Sequence, residues 1–190
     1  MTAITDLSAL ELSRAIHDRM VSCREVMAAY LERIGRINPK INAIVSLRDA
    51  EELMREAGER DAELDAGRSQ GWMHGLPHAV KDLAPAKGIP CVFGSENYRD
   101  FVPDFDDIQV ERIRALGAII IGKTNTPEMG LGSHTFNPVF GPTRNPYNTG
   151  KSAGGSSGGA AAALAARLVP VADGSDMMGS LRNPAGFNNV

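Results

Sequence analysis

The chain has 190 residues, of which 43% are hydrophobic, 23% charged and 5% aromatic, enough apolar material for a core and too much for a disordered or collagen-like polymer. Lys and Arg number 20 against 23 Asp and Glu, a formal net charge of -3, so the basic footprint of a nucleic-acid binder is missing. Cys23 and Cys91 have neither ligand spacing nor the pattern of a disulfide framework, and no stretch nears the ~18 uninterrupted apolar residues of a membrane span. Met1 to Leu12 is polar and carries Asp6 and Glu11, unlike a signal peptide. The expectation is a reduced, cytoplasmic protein with neither nucleic acid nor membrane as partner.

Along the chain, Ser8 with Glu11 makes a capping box for a helix that places Ala9, Leu12, Ala15 and Ile16 on one face. Ser22 with Glu25 repeats it for a second helix, with Val26, Met27, Tyr30, Leu31 and Ile34 apolar and Pro39 as its end. Ala43-Ile44-Val45 reads as a short strand, and Arg48 to Ala66 as an exposed amphipathic helix closed by Gly67. Leu76 to Val80 enters a buried strand that delivers Lys81 and Asp82, and a Pro/Gly loop follows through Pro103. Asp106 or Asp107 caps a helix through Ile108, Val110, Ile113 and Leu116, and Gly117 stops it. The wholly apolar Ala118-Ile119-Ile120-Ile121 then suggests a strand covered on both faces, the βαβ texture of an α/β protein. Gly154 to Gly159 leads into a near-polyalanine helix, Ala160 to Ala166, and Leu168 to Ala172 reads as a strand running into the loop Asp173 to Ser180. No linker divides the chain.

Two glycine-serine loops could carry chemistry. Neither supplies GxGxxG, and Gly150-Lys151-Ser152 has Asn145 where a P-loop needs its first glycine, so a nucleotide site is not indicated. Gly154-Gly155-Ser156-Ser157-Gly158 fits the GxSxG string, but no strand is expected before it, and a nucleophile elbow needs one. Ser180 follows Met177, Met178 and Gly179 in a loop whose consecutive N–H groups could converge as an oxyanion hole, which a serine nucleophile needs besides a base. His17, His74, His78 and His134 read as structural or exposed. Lys81, ending a buried strand, is the remaining candidate for the base, because burial lowers a lysine's pKa towards neutrality.

Gly75-Leu76-Pro77-His78-Ala79-Val80-Lys81-Asp82, the Gly154 to Gly159 loop with its alanines, and Gly174-Ser175-Asp176-Met177-Met178-Gly179-Ser180-Leu181-Arg182-Asn183-Pro184-Ala185 together resemble the amidase signature family. Gly122 to Glu128 and Asn137 to Pro146 support the match, which covers nearly the whole chain from about Leu7. The resemblance implies a Ser-cisSer-Lys triad: Lys81 as base, Ser156 as bridging serine on a cis Gly155–Ser156 bond, and Ser180 as nucleophile. It implies backbone N–H groups of Met177, Met178, Gly179 and Ser180 at the oxyanion, Ser157 in support, and Asp176 and Arg182 bracing the loop. Neither metal nor cofactor is implied, the substrate is a small-molecule amide, and homo-oligomerisation is left open.

The resemblance further implies an α/β fold with a large mixed β-sheet core flanked by helices. Residues 1–190 would be the N-terminal part of one such domain, with a mostly helical leading segment over 1–70 and a catalytic core over 71–190. Two departures stand out: the chain is short for the family, and Met178 replaces the first glycine before the nucleophile, which argues against positive φ at 178. The Asp-Met-Met-Gly-Ser form is similar to that of a subset of bacterial amidases. The expected activity is hydrolysis of a carboxamide C–N bond. The rivals are a glutamine-dependent amidotransferase subunit of the same family and a catalytically silent truncated fragment.

Overall fold

The computed structural model describes residues 3–190. Both capping boxes form: Ser8 caps α1 (Ala9–His17) and Ser22 caps α2 (Cys23–Ile41), each serine hydroxyl accepting from the N3 amide while the N3 glutamate reaches back. Pro39 does not end α2 but lies inside its last turn. A proline there forfeits only one backbone hydrogen bond near an exposed terminus, and Asn42, left-handed at φ 51°, closes the helix by donating to the Asn38 carbonyl. The Asn38 side chain then accepts from the amides of Ala43 and Ile44, which aims the chain into β1 (Ile44–Val45). Asp49 caps α3 (Ala50–Asp65).

Among the described residues the sheet has three strands in the order β1-β3-β2 and is mixed, so the expected α/β class holds. β2 (Pro77–Lys81) runs parallel to β3 (Ile119–Thr124), β1 is antiparallel to β3, and every residue of all three strands is buried. Strand pleating sends alternate side chains to opposite faces. Ala79, Ile119 and Ile121 join the main core with α1, α2, α3 and the alanines of α5 (Gly158–Ala165), whereas Val80 and Ile120 pack against Ala86, Ile89 and Val110 of α4 (Ile108–Ala115).

Two differences from expectation bear on the site. Leu168 to Ala172 is not a strand: Leu168 and Val169 are buried in the core, but Pro170 has no N–H, and the segment meets the free edge of β2 through the Asp173 side chain instead of a backbone ladder. An exposed hairpin, β4 (Arg144–Asn145) with β5 (Asn148–Ser152), lies just before the Gly154 loop, so a strand does precede the GxSxG string. Its polar, water-facing residues lack the apolar alternation by which strands are recognised. A final helix, α6 (Arg182–Asn188), follows Ser180.

Candidate active site

Lys81 ends β2 on the same face as Ala79, the face covered by α5, and is only 2% exposed. Ser156 and Ser157, both buried, form the turn into α5. The helix can come this close because Gly159 has no side chain: a Cβ there would lie 2.6 Å from the Asn125 carbonyl oxygen and 2.8 Å from that of Ala43. Lys81 Nζ therefore sits among three hydroxyls, donating to Ser156 Oγ at 2.8 Å, Ser157 Oγ at 2.9 Å and Ser175 Oγ at 2.9 Å. Burial lowers its pKa to about 8, against the opposing pull of the Asp173 and Asp176 carboxylates. A neutral amine keeps a lone pair that can accept a proton from one of the hydroxyls. The neighbouring Asp82 turns the other way, accepting from the amides of Val92 and Gly94 and so tying that loop to the end of β2, and burial pushes its pKa up to about 6.

The Gly155–Ser156 peptide is cis. The loop bearing Ser180 is stitched to the Ser156 turn: Ser157 N–H donates to the Ser180 carbonyl, and Ser157 Oγ both accepts from Ser175 N–H and donates to the Ser175 carbonyl. Asp176 holds the loop from within, accepting from the amides of Gly179 (2.7 Å) and Leu181 (3.1 Å) and pairing with Nε and Nη2 of Arg182, both at 3.0 Å. These donors keep the Asp176 carboxyl well below the usual carboxylate range. Gly179 takes the positive φ, +109°, and Met178 does not, so the bulky residue at 178 fits without strain.

Ser156, Ser175 and Ser180 line one half-open cavity of about 560 Å³, whose other walls include Leu83, Met129, Leu131 and the two exposed methionines, Met177 (81%) and Met178 (88%). Among the described residues the Ser180 hydroxyl makes no hydrogen bond, and neither do the N–H groups of Met177, Met178 and Ser180. That of Gly179 is committed to Asp176. A carbonyl entering the cavity would meet a free hydroxyl beside unengaged amide donors, the combination that acyl transfer requires.

The family model described as Amidase matches residues 25–190. The chain belongs to the amidase family. An acylamidase of Rhodococcus erythropolis is 42% identical over 184 residues, covering 97% of this chain and 38% of its own length. A glutamyl-tRNA(Gln) amidotransferase subunit of Acidothermus cellulolyticus is 40% identical over 190 residues, covering all of this chain and 37% of its own. The solved structure of a fatty acid amide hydrolase superposes with a TM-score of 0.92 at 30% identity, over 98% of this chain and 33% of that one. The chain thus spans well under half the length of these amidase relatives.

Two polar residues in this amidase chain are not singled out by its sequence. Ser175 supplies the third hydroxyl on Lys81 Nζ, and Asp173 accepts from the Lys81 amide, from His78 Nε2 and from Gln109 Nε2. Both flank Gly174, where a Cβ would lie 2.8 Å from Ser157 Oγ, so the glycine is what lets this loop press against the serine turn. A small residue set among polar ones between two serine motifs was the signal available. The histidines do behave as expected: His74 is buried and bonded to Arg60 O and Gln70 N–H, His17 bonds Ser13 O and Ser69 Oγ, and His134 is exposed. Among the described residues no helix is long and apolar enough to cross a membrane.

Proposed function

We propose that the protein hydrolyses a carboxamide to a carboxylic acid and an amine or ammonia through an acyl-serine intermediate. Neutral Lys81 takes the proton of Ser156, Ser156 takes that of Ser180, and Ser180 Oγ attacks the amide carbon to give a tetrahedral oxyanion. The oxyanion accepts from the free amides of Met177, Met178 and Ser180. Collapse breaks the C–N bond as the proton returns through Ser156 to the leaving amine; water then attacks the acyl carbon while its proton passes through Ser156 to Lys81, and the ester C–O bond breaks as that proton returns to Ser180 Oγ, releasing the acid. The observation that carries this mechanism is the buried lysine amine 2.8 Å from Ser156 Oγ, with Ser156 lining a cavity that also holds an unengaged serine hydroxyl. Asp176 and Arg182 brace the nucleophile loop, and Ser157 ties it to the serine turn.

In assays of amine or ammonia release over a panel of amides, Ser180→Ala and Lys81→Ala are each expected to lose about 10³-fold or more in kcat. Near-normal turnover in either variant removes the mechanism. The second reading, a component of an amidotransferase, is favoured by the 40% identity with such a protein over the whole chain. It predicts ammonia release from glutamine only when partner subunits are added, whereas the hydrolase acts alone.

A further inference from the structure

Among the described residues, Asp173 is the carboxylate that touches both the strand carrying Lys81 and the helix on the opposite side of the sheet. It leaves the main chain two residues before Ser175 and lies largely buried against the free edge of β2. Its Oδ1 and Oδ2 accept from the Lys81 amide at 3.1 and 3.2 Å, Oδ1 accepts from His78 Nε2 at 3.1 Å, and Oδ2 accepts from Gln109 Nε2 of α4 at 2.8 Å. Three donors from two elements converge on one side chain, and that side chain belongs to the loop bearing Ser180. Burying a carboxylate is costly unless its lone pairs are filled, and here they are filled by groups whose positions decide where Lys81 stands.

We propose that Asp173, clamped by His78 and Gln109, is a positioning residue for Lys81: it fastens the last amide of β2 to the Ser175–Ser180 loop, so that amine and nucleophile keep their spacing. The inference rests on Lys81 being the base. The clamp works through two routes. Its geometry fixes the Lys81 backbone, and its negative charge favours the ammonium form, in opposition to burial. The titratable groups around Lys81 are Asp173 and Asp176 on the nucleophile loop and His78 on its own strand, while the turn before α5 presents the Ser156 and Ser157 hydroxyls, α5 itself only glycine, alanine and one leucine, and α4 brings Gln109.

The signs follow from these groups. Because the neutral amine is the competent form, removing a nearby negative charge makes Lys81 easier to deprotonate and moves the acid limb of the kcat profile to lower pH. Asp173→Asn is expected to lower kcat ~10- to 100-fold with little change in KM, and to shift that limb down by about half a pH unit. Asp173→Glu keeps the charge but misplaces it, and is expected to lose turnover with the limb near its original position. Gln109→Leu removes one clamp from the half-exposed side and is expected to cost a few-fold in kcat at unchanged KM, which keeps the proposal testable should the buried variants fail to fold. A limb that stays put in a folded Asp173→Asn protein, or a Gln109→Leu protein with wild-type kcat, overturns the proposal. Lys81→Ala is assayed alongside: if it still hydrolyses amides, the proposed function fails, which is a different result from an unmoved pH limb.

Discussion

The two serine loops sit within hydrogen-bonding distance of each other yet are held in opposite ways. The Gly154–Ser157 turn is buried throughout and locked between Lys81, Thr135 and the N-terminus of α5: Gly158 N–H donates to Thr135 Oγ1, and glycines let backbone meet backbone. The Ser175–Ser180 loop is largely open to solvent, packs little apolar surface, and keeps its shape through the Asp176 carboxylate and a few bonds to Ser157. The base and relay thus stand in a buried, fixed frame, where burial lowers the lysine's pKa, while the nucleophile stands where a substrate can reach it.

That contrast predicts different consequences of damage. Gly159→Ala strikes the buried side, since its Cβ would overlap the Asn125 backbone and the Ala43 carbonyl. It is expected to destabilise the fold by about 2–3 kcal/mol and to lower Tm by about 4–12 °C in a thermal melt. A Tm unchanged by Gly159→Ala would mean that the frame is not rigid. Asp176→Ala strikes the exposed side, releasing the amides of Gly179 and Leu181 and the Arg182 guanidinium. A loss of about tenfold in kcat is expected, with Tm within a degree or two, because few core contacts depend on it. A large fall in Tm with kcat preserved would invert the distinction.

What is legible in the sequence alone follows the same division. Helix starts are local: Ser8 with Glu11 and Ser22 with Glu25 carry their caps within four residues, and both form as expected. The buried strands around Lys81 and Ile120 announce themselves through apolar runs. Leu168 to Ala172 has the same texture but fails as a strand, because burial favours apolar residues whatever their backbone partners, and Pro170 has no N–H to offer. Pro39 misleads for a related reason, since one missing bond in a terminal turn is tolerated when Asn42 closes the helix. The hairpin before Gly154 is polar and exposed, so its pairing left no periodic trace. Asp173 and Ser175 act over more than ninety residues of separation on Lys81, and no spacing rule reaches that far.

The proposed mechanism stands or falls on which serine carries the acyl group. Trapping the protein with a fluorophosphonate and locating the adduct by peptide mass spectrometry asks that directly. The expected adduct is on Ser180, whose hydroxyl is free in the cavity, and it should fail to form in Lys81→Ala. An adduct on Ser156, whose hydroxyl is bound to the Lys81 amine, would contradict the assignment of roles.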